Sequence, residues 1–140
     1  MASFDIRTVR YGTVGNEREY LSVTKVDVAE GETEIVFPDT YEGKPVTHIG
    51  YIEKFSEAEE RYHDWHHPAQ GMEYFPAHYE KESVCLRIPK SVTSIVIPAC
   101  VKDVSFYAFD GIDLKKTVKI DPENPYIEIR EKGYIGGKRN

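Results

Sequence analysis

The sequence predicts a β-rich α/β fold: a short right-handed solenoid with an N-terminal β-hairpin cap and a helical insert. Three observations carry that expectation. Residues 88–104 state one phrase twice, IPKSVTSI and then IPACVKDV, with starts nine residues apart. Related phrases flank it, IVFPDTYEGKPVTHIG at 35–50 and VKIDPENPYIEI at 118–129. Residues 55–83 fit neither phrase and carry a helical spacing of their own.

At 140 residues the chain suits one domain, which would bury roughly 68% of its unfolded surface. The expected division is a cap hairpin (1–33), a first coil (34–55), an insert (56–83), further coils (84–129) and a C-terminal cap (130–140). No apolar run reaches the roughly 18 residues of a membrane span. The opening MASFDIRTVRYG lacks an apolar signal core, which predicts a cytoplasmic, bacterial-type setting. A net charge of −6 with scattered Lys and Arg argues against nucleic acid and against anionic membrane.

Residues 4–28 read as the capping hairpin: FDIRTVRY alternates, Thr-Val-Gly-Asn turns, and EYLSVTKVDV returns. The strands that follow are expected near 35–37, 86–88, 95–97 and 118–120. Pro89 and Pro98 each end an apolar triplet, because proline cannot donate to a ladder. Val92 and Ile95 then fall three apart, as do Val101 and Val104, which suits a chain bending round a core. The inward set is Ile35, Phe37, Val46, Ile49, Leu86, Ile88, Val92, Ile95, Ile97, Val101, Val104, Phe106, Phe109 and Ile120. Ile97 to Ile120 spans 23 residues, inside the range of about 20–29 for leucine-rich repeats. Cys85 and Cys100 flank apolar runs and read as two buried thiols.

LRIPKSVTSI, VIPACVKDVSFYAFDG and FPDTYEGKPVTHIG resemble the coils of the BspA-like leucine-rich-repeat family, which run approximately IxIPxxVxxIxxxAFxxC. VKIDPENPYI with EKGYIGGK resembles its closing coil. The resemblance covers residues 20–55 and 84–137, although IPKSVTSI runs straight into VIP without the Ala-Phe back wall. It implies a leucine-rich-repeat scaffold that engages proteins. Members of that family are generally exported, whereas this chain shows no export signal.

In the insert, Ser56 and Glu59 form a capping-box pattern and Pro68 sets a far limit, predicting a helix near 57–67. Ala58, Tyr62 and Trp65 would face the solenoid. Four of the five histidines also lie in residues 55–83. His63 and His67 stand i, i+4, with Glu60 or His78 as a third ligand, but Asp-Trp-His replaces the glutamate of a zinc protease. A polar helix face explains these residues without a metal, so no cofactor is expected.

Catalytic motifs are lacking too. There is no nucleophile elbow and no G-x-G-x-x-G, and a hairpin turn accounts for GYIGGKRN. The expectation is a non-catalytic binding module with a protein partner, either another polypeptide or a second copy in a homodimer. The alternative is a metal-binding or hydrolytic protein using the insert's histidines. Tyr62, Trp65, Met72, Tyr74, Phe75 and Tyr79 crowd into eighteen residues and form the expected binding set. They either present an interface or pack inward in place of the missing back wall.

Overall fold

Alternating apolar residues give the first two strands, β1 (Ser3–Thr13) and β2 (Arg18–Asp27), which pair antiparallel. The register slips between Asp5 and Ile6, leaving Thr24 as a bulge. The computed structural model describes residues 2–62 and 72–138, without the side chains of 59–62 and 72–74. The remaining strands are β3 (Glu34–Val36), β4 (Thr40–Tyr41), β5 (Lys44–Ile49), β6 (Tyr51–Ser56), β7 (Glu59–Tyr62), β8 (Met72–Phe75) and β9 (His78–Ser83). After them come β10 (Ser94–Ile97), β11 (Asp103–Val104), β12 (Val118–Ile120), β13 (Ile127–Ile129) and β14 (Ile135–Gly137). Among the described residues the sole helix is α1 (Leu114–Thr117), capped by the Asp113 carboxylate.

The chain is therefore a small strand-rich domain of mixed sheets, and it corrects the expectation of a right-handed solenoid with a helical insert. A solenoid repeats parallel coils, whereas antiparallel ladders join β1 to β2 and β9, β4 to β5, β6 to β9, β7 to β8 and β13 to β14. The largest sheet runs β11-β5-β2-β1-β9-β6. A separate parallel sheet runs β12-β10-β3 and stacks Ile35, Ile95 and Val118 in register, with Ile97 beside Ile120. The phrase at 35–50 is thus divided between two sheets, since β3 joins β10 while β5 runs parallel to β2.

The expected strand at 86–88 does not form. Arg87 has φ 54, a left-handed conformation that interrupts extended backbone. The expected helix near 57–67 is overturned over its described part, where Glu59–Tyr62 pairs with Met72–Phe75. Aromatic Tyr62, Tyr74 and Phe75 suit a strand, and the ladder of β6 with β9 directs the two chains toward each other. Residues 63–67 lie outside the described residues.

The core joins both sheets. Val23, Ile35, Ile49, Ile95, Ile97 and Val101 are fully enclosed, and Phe37 meets Phe4 at 5.3 Å and Phe109 at 5.9 Å. Of the expected inward set, Ile88 and Ile120 are half-buried. Phe106 is 77% exposed, edge-on to Tyr107 at 5.2 Å, so it forms no back wall. The turn carrying it instead buries Ala108 and Phe109. Cys85 and Cys100 are unpaired and half-buried.

Candidate functional site

The antiparallel ladder of β6 and β9, extended by β7 and β8, makes a two-stranded arm of residues 51–62 and 72–83. Side chains alternate across a strand, so Tyr51, Glu53 and Phe55 share one face with their partners Ser83, Lys81 and Tyr79. That face meets the body through Tyr51, Glu53 and Lys81, while Phe55 beyond them is half exposed. Ser22, fully buried on β2, donates to the Tyr51 carbonyl at 2.9 Å and accepts its N–H at 3.1 Å, fixing the base of the arm.

Further along, Arg10 of β1 grips Glu53. Its backbone N–H and Nε both reach Oε1 at 2.9 Å, and Nη2 reaches Oε2 at 3.0 Å. The Arg10 hydrogen bond holds the Glu53 carboxyl below the usual carboxylate range. The same guanidinium lies 4.2 Å from the centroid of the Tyr79 ring. Lys81 sits 3.2 Å from Asp103 Oδ2, 4.7 Å from the Tyr11 centroid and 5.0 Å from that of Tyr51.

Beneath this seam lies an aromatic and polar cluster. Tyr11 donates to the Tyr20 hydroxyl at 2.8 Å, and their rings stack at 4.9 Å. That bond raises the Tyr11 phenol and lowers the Tyr20 phenol. His48 packs against Tyr20 at 4.5 Å and Tyr51 at 5.7 Å, and its Nδ1 shares a 2.8 Å bond with the Thr47 hydroxyl. Burial pushes His48 down to about 4 and pushes the Tyr51 phenol up. These groups are mutually committed through hydrogen bonds and ring contacts. The Cys100 thiol likewise donates to the carbonyls of Asp39 and Val46, and burial raises its pKa, which disfavours the nucleophilic thiolate.

At the outer part of the arm, Phe55 is 50% exposed and Phe75 41% exposed. Tyr79 is half-buried, with its ring 5.1 Å from that of Phe55. The structure thus brings Tyr79 beside Phe55, and places Phe75 on β8 opposite Glu59. Tyr62, Met72 and Tyr74 occupy strands whose side chains are not described, and Trp65 lies outside the described residues. So do His63 and His67, together with the side chain of Glu60. His78 engages the Pro76 carbonyl at 3.0 Å and Glu80 at 2.8 Å. Among the described residues, no three His, Cys, Asp or Glu side chains converge as a metal site.

Sequence reasoning missed Phe55, Arg10, Glu53 and Lys81. A signal existed: Tyr51, Glu53 and Phe55, like Tyr79 and Lys81, recur at the period of two that marks a strand. No protein-family model, curated protein or solved structure matches the chain.

Proposed function

We propose that the protein is a non-catalytic binding module that engages a polypeptide partner through the aromatic face of its arm. Phe55, Phe75 and Tyr79 are the central contacts, and Tyr62, Trp65, Met72 and Tyr74 belong to the same segment. The observation that carries this reading is the exposure of Phe55 and Phe75 on one two-stranded arm. Large aromatic side chains release much apolar area on docking and are enriched among interface hot spots. Half-exposed phenylalanines contribute less to folding than buried ones, and the apolar area they leave exposed is what a partner would cover. A metal-binding or hydrolytic role gains no supporting geometry from His78, whose ring nitrogens face Pro76 and Glu80.

The test is photo-crosslinking in the source cells from a probe placed at position 55, with a probe at Lys25 on the hairpin as control. A discrete adduct that forms from position 55, fails from position 25, and disappears in Phe75→Ala supports the reading. Thermal melting must show that variant folded. Identical adduct patterns from both positions would overturn it, as would an adduct indifferent to Phe75.

A further inference from the structure

Among the described residues, none between 51 and 83 belongs to the apolar core or packs against it as a partly buried hydrophobic. Yet the arm lies against β1. Charge crosses the contact in two reciprocal pairings, beside a short backbone ladder and ring contacts. Arg10 leaves the body to bind Glu53 and cover Tyr79 of the arm. Lys81 leaves the arm to bind Asp103 and cover Tyr11 of the body. Each side thus supplies one cation to a carboxylate and a tyrosine of the other.

Backbone attachment beyond the base is slight. The ladder between β1 and β9 consists of Gly12 opposite Tyr79 and Thr13 opposite His78, followed by Val14 N–H to the Ala77 carbonyl at 3.1 Å. The base is held differently. Gly50 donates to the Val23 carbonyl and accepts from Val84 N–H, both at 2.8 Å, and Ser22 clasps Tyr51.

We propose that β6 and β9, with β7 and β8 beyond them, form an electrostatically latched arm, which lifts from β1 as a unit while the core stays folded. Its catches are the Arg10–Glu53 and Lys81–Asp103 pairs. The side chains of these four residues are 25–39% exposed, so dissolved ions reach them. Screening shortens the range of such attractions from about 10 Å at 0.1 M salt to about 3 Å at 1 M. Segments that lie outside the apolar core open at a lower free energy than the whole domain. The β6–β9 ladder is internal to the arm and survives the motion. Lifting withdraws Lys81 from Tyr11 and Asp103, and withdraws Arg10 from the ring of Tyr79. The latch therefore controls whether Tyr79 joins the exposed aromatic face, although the motion itself does not depend on the binding role.

Residue-resolved amide hydrogen exchange of the full chain tests this at about 20 mM and about 500 mM sodium chloride. The Arg10 and Val14 amides report the latch, because they bond to Glu53 and Ala77 of the arm. The Phe37 amide, bonded to Val96 in the other sheet, reports the core. High salt should accelerate Arg10 and Val14 at least about fivefold and leave Phe37 unchanged. In Glu53→Gln the Val14 amide should exchange fast at both salt concentrations. Latch amides indifferent to salt would overturn the proposal, as would all three amides accelerating together. A Glu53→Gln variant that keeps the wild-type response would overturn it too.

Discussion

The Lys81 ammonium lies 4.7 Å from the centre of the Tyr11 ring and 3.2 Å from a carboxylate oxygen of Asp103, so one side chain ties β9 to β1 and β11. Residues far apart in sequence meet there without any contribution from the apolar core. The molecule divides its cohesion accordingly. Ile35, Ile49, Ile95 and Ile97 hold the sheets together by exclusion of water, which salt does not screen. The arm is held by ion pairs and ring contacts, which respond to charge and salt.

Gly50 lies where the body passes into the arm, and its position is sterically closed. Its φ is +82, and an added Cβ would lie 2.5 Å from both Ala108 Cβ and Ser105 Oγ. Gly50→Ala should therefore cost about 2–4 kcal/mol, from left-handed strain and overpacking together. Urea unfolding measures the loss. A cost under about half a kcal/mol would mean that the Ser105–Ala108 turn gives way freely.

Ile97 and Phe106 make a matched pair for locating the core. Ile97 is fully enclosed beside Ile120, whereas Phe106 is 77% exposed. Ile97→Ala should cost about 2–5 kcal/mol through lost burial and a residual cavity. Phe106→Ala should stay within about half a kcal/mol. Equal losses in a urea titration would contradict this assignment of inside and outside.

That contrast also marks what the sequence made legible. The repeated Ile/Val-Pro phrase correctly singles out Ile35, Phe37, Val46, Ile49, Ile95, Ile97 and Val101 as buried, because burial depends on local apolar pattern. The pattern does not say which strand lies alongside. Lys44–Ile49 could not be matched to β2 from its own residues, and the mixed sheet replaced a solenoid for that reason. In the arm two periods coexist, the i, i+4, i+7 series Ala58, Tyr62, Trp65 and the alternation of Tyr51, Glu53, Phe55. The described residues follow the alternation. Arg10 and Glu53, 43 positions apart, leave no local trace of their pairing. The aromatic crowding of the arm was visible, but the exposed Phe55 was not among the residues it suggested.

Asn124 is fully buried and makes four hydrogen bonds. Its Nδ2 donates to the carbonyls of Pro98 at 3.1 Å and Val101 at 2.9 Å. Its Oδ1 accepts from the backbone N–H groups of Tyr126 at 2.7 Å and Ile127 at 3.1 Å. The side chain thus joins the turn after β10 to the turn before β13. Asn124→Ala leaves four backbone groups without that partner, those of Val101 and Ile127 buried, and should cost about 2–4 kcal/mol. Asn124→Asp keeps the shape but turns a donor into a second acceptor facing two carbonyls, so it should be no less damaging at neutral pH. Chemical denaturation of the two variants checks both statements, and a neutral Asn124→Ala would refute the bracing role.

His48 should make stability depend on mildly acidic pH. The side chain is 4% exposed, lies between Tyr20 and Tyr51, and is bonded through Nδ1 to Thr47. Burial is the main cause that lowers its pKa from 6.5 to about 4; Lys81 and Lys102 add to the shift, and Asp103 opposes it. Between those values the unfolded chain binds more protons at this residue than the folded one. The stability contributed by the neutral imidazole is therefore complete above pH 6.5 and is lost as pH falls toward 4. The loss between pH 7 and pH 4 should be about 3 kcal/mol. His48→Gln removes the titration while keeping a polar side chain, so its stability should fall less over the same range. Glu53 also weakens the fold in acid once its carboxylate is protonated away from Arg10, but that effect is common to both proteins and cancels in the difference. Urea unfolding of wild type and His48→Gln at pH 7, 5.5 and 4 gives the comparison. Parallel losses in the two proteins would show that His48 is not the group whose charging destabilises the fold.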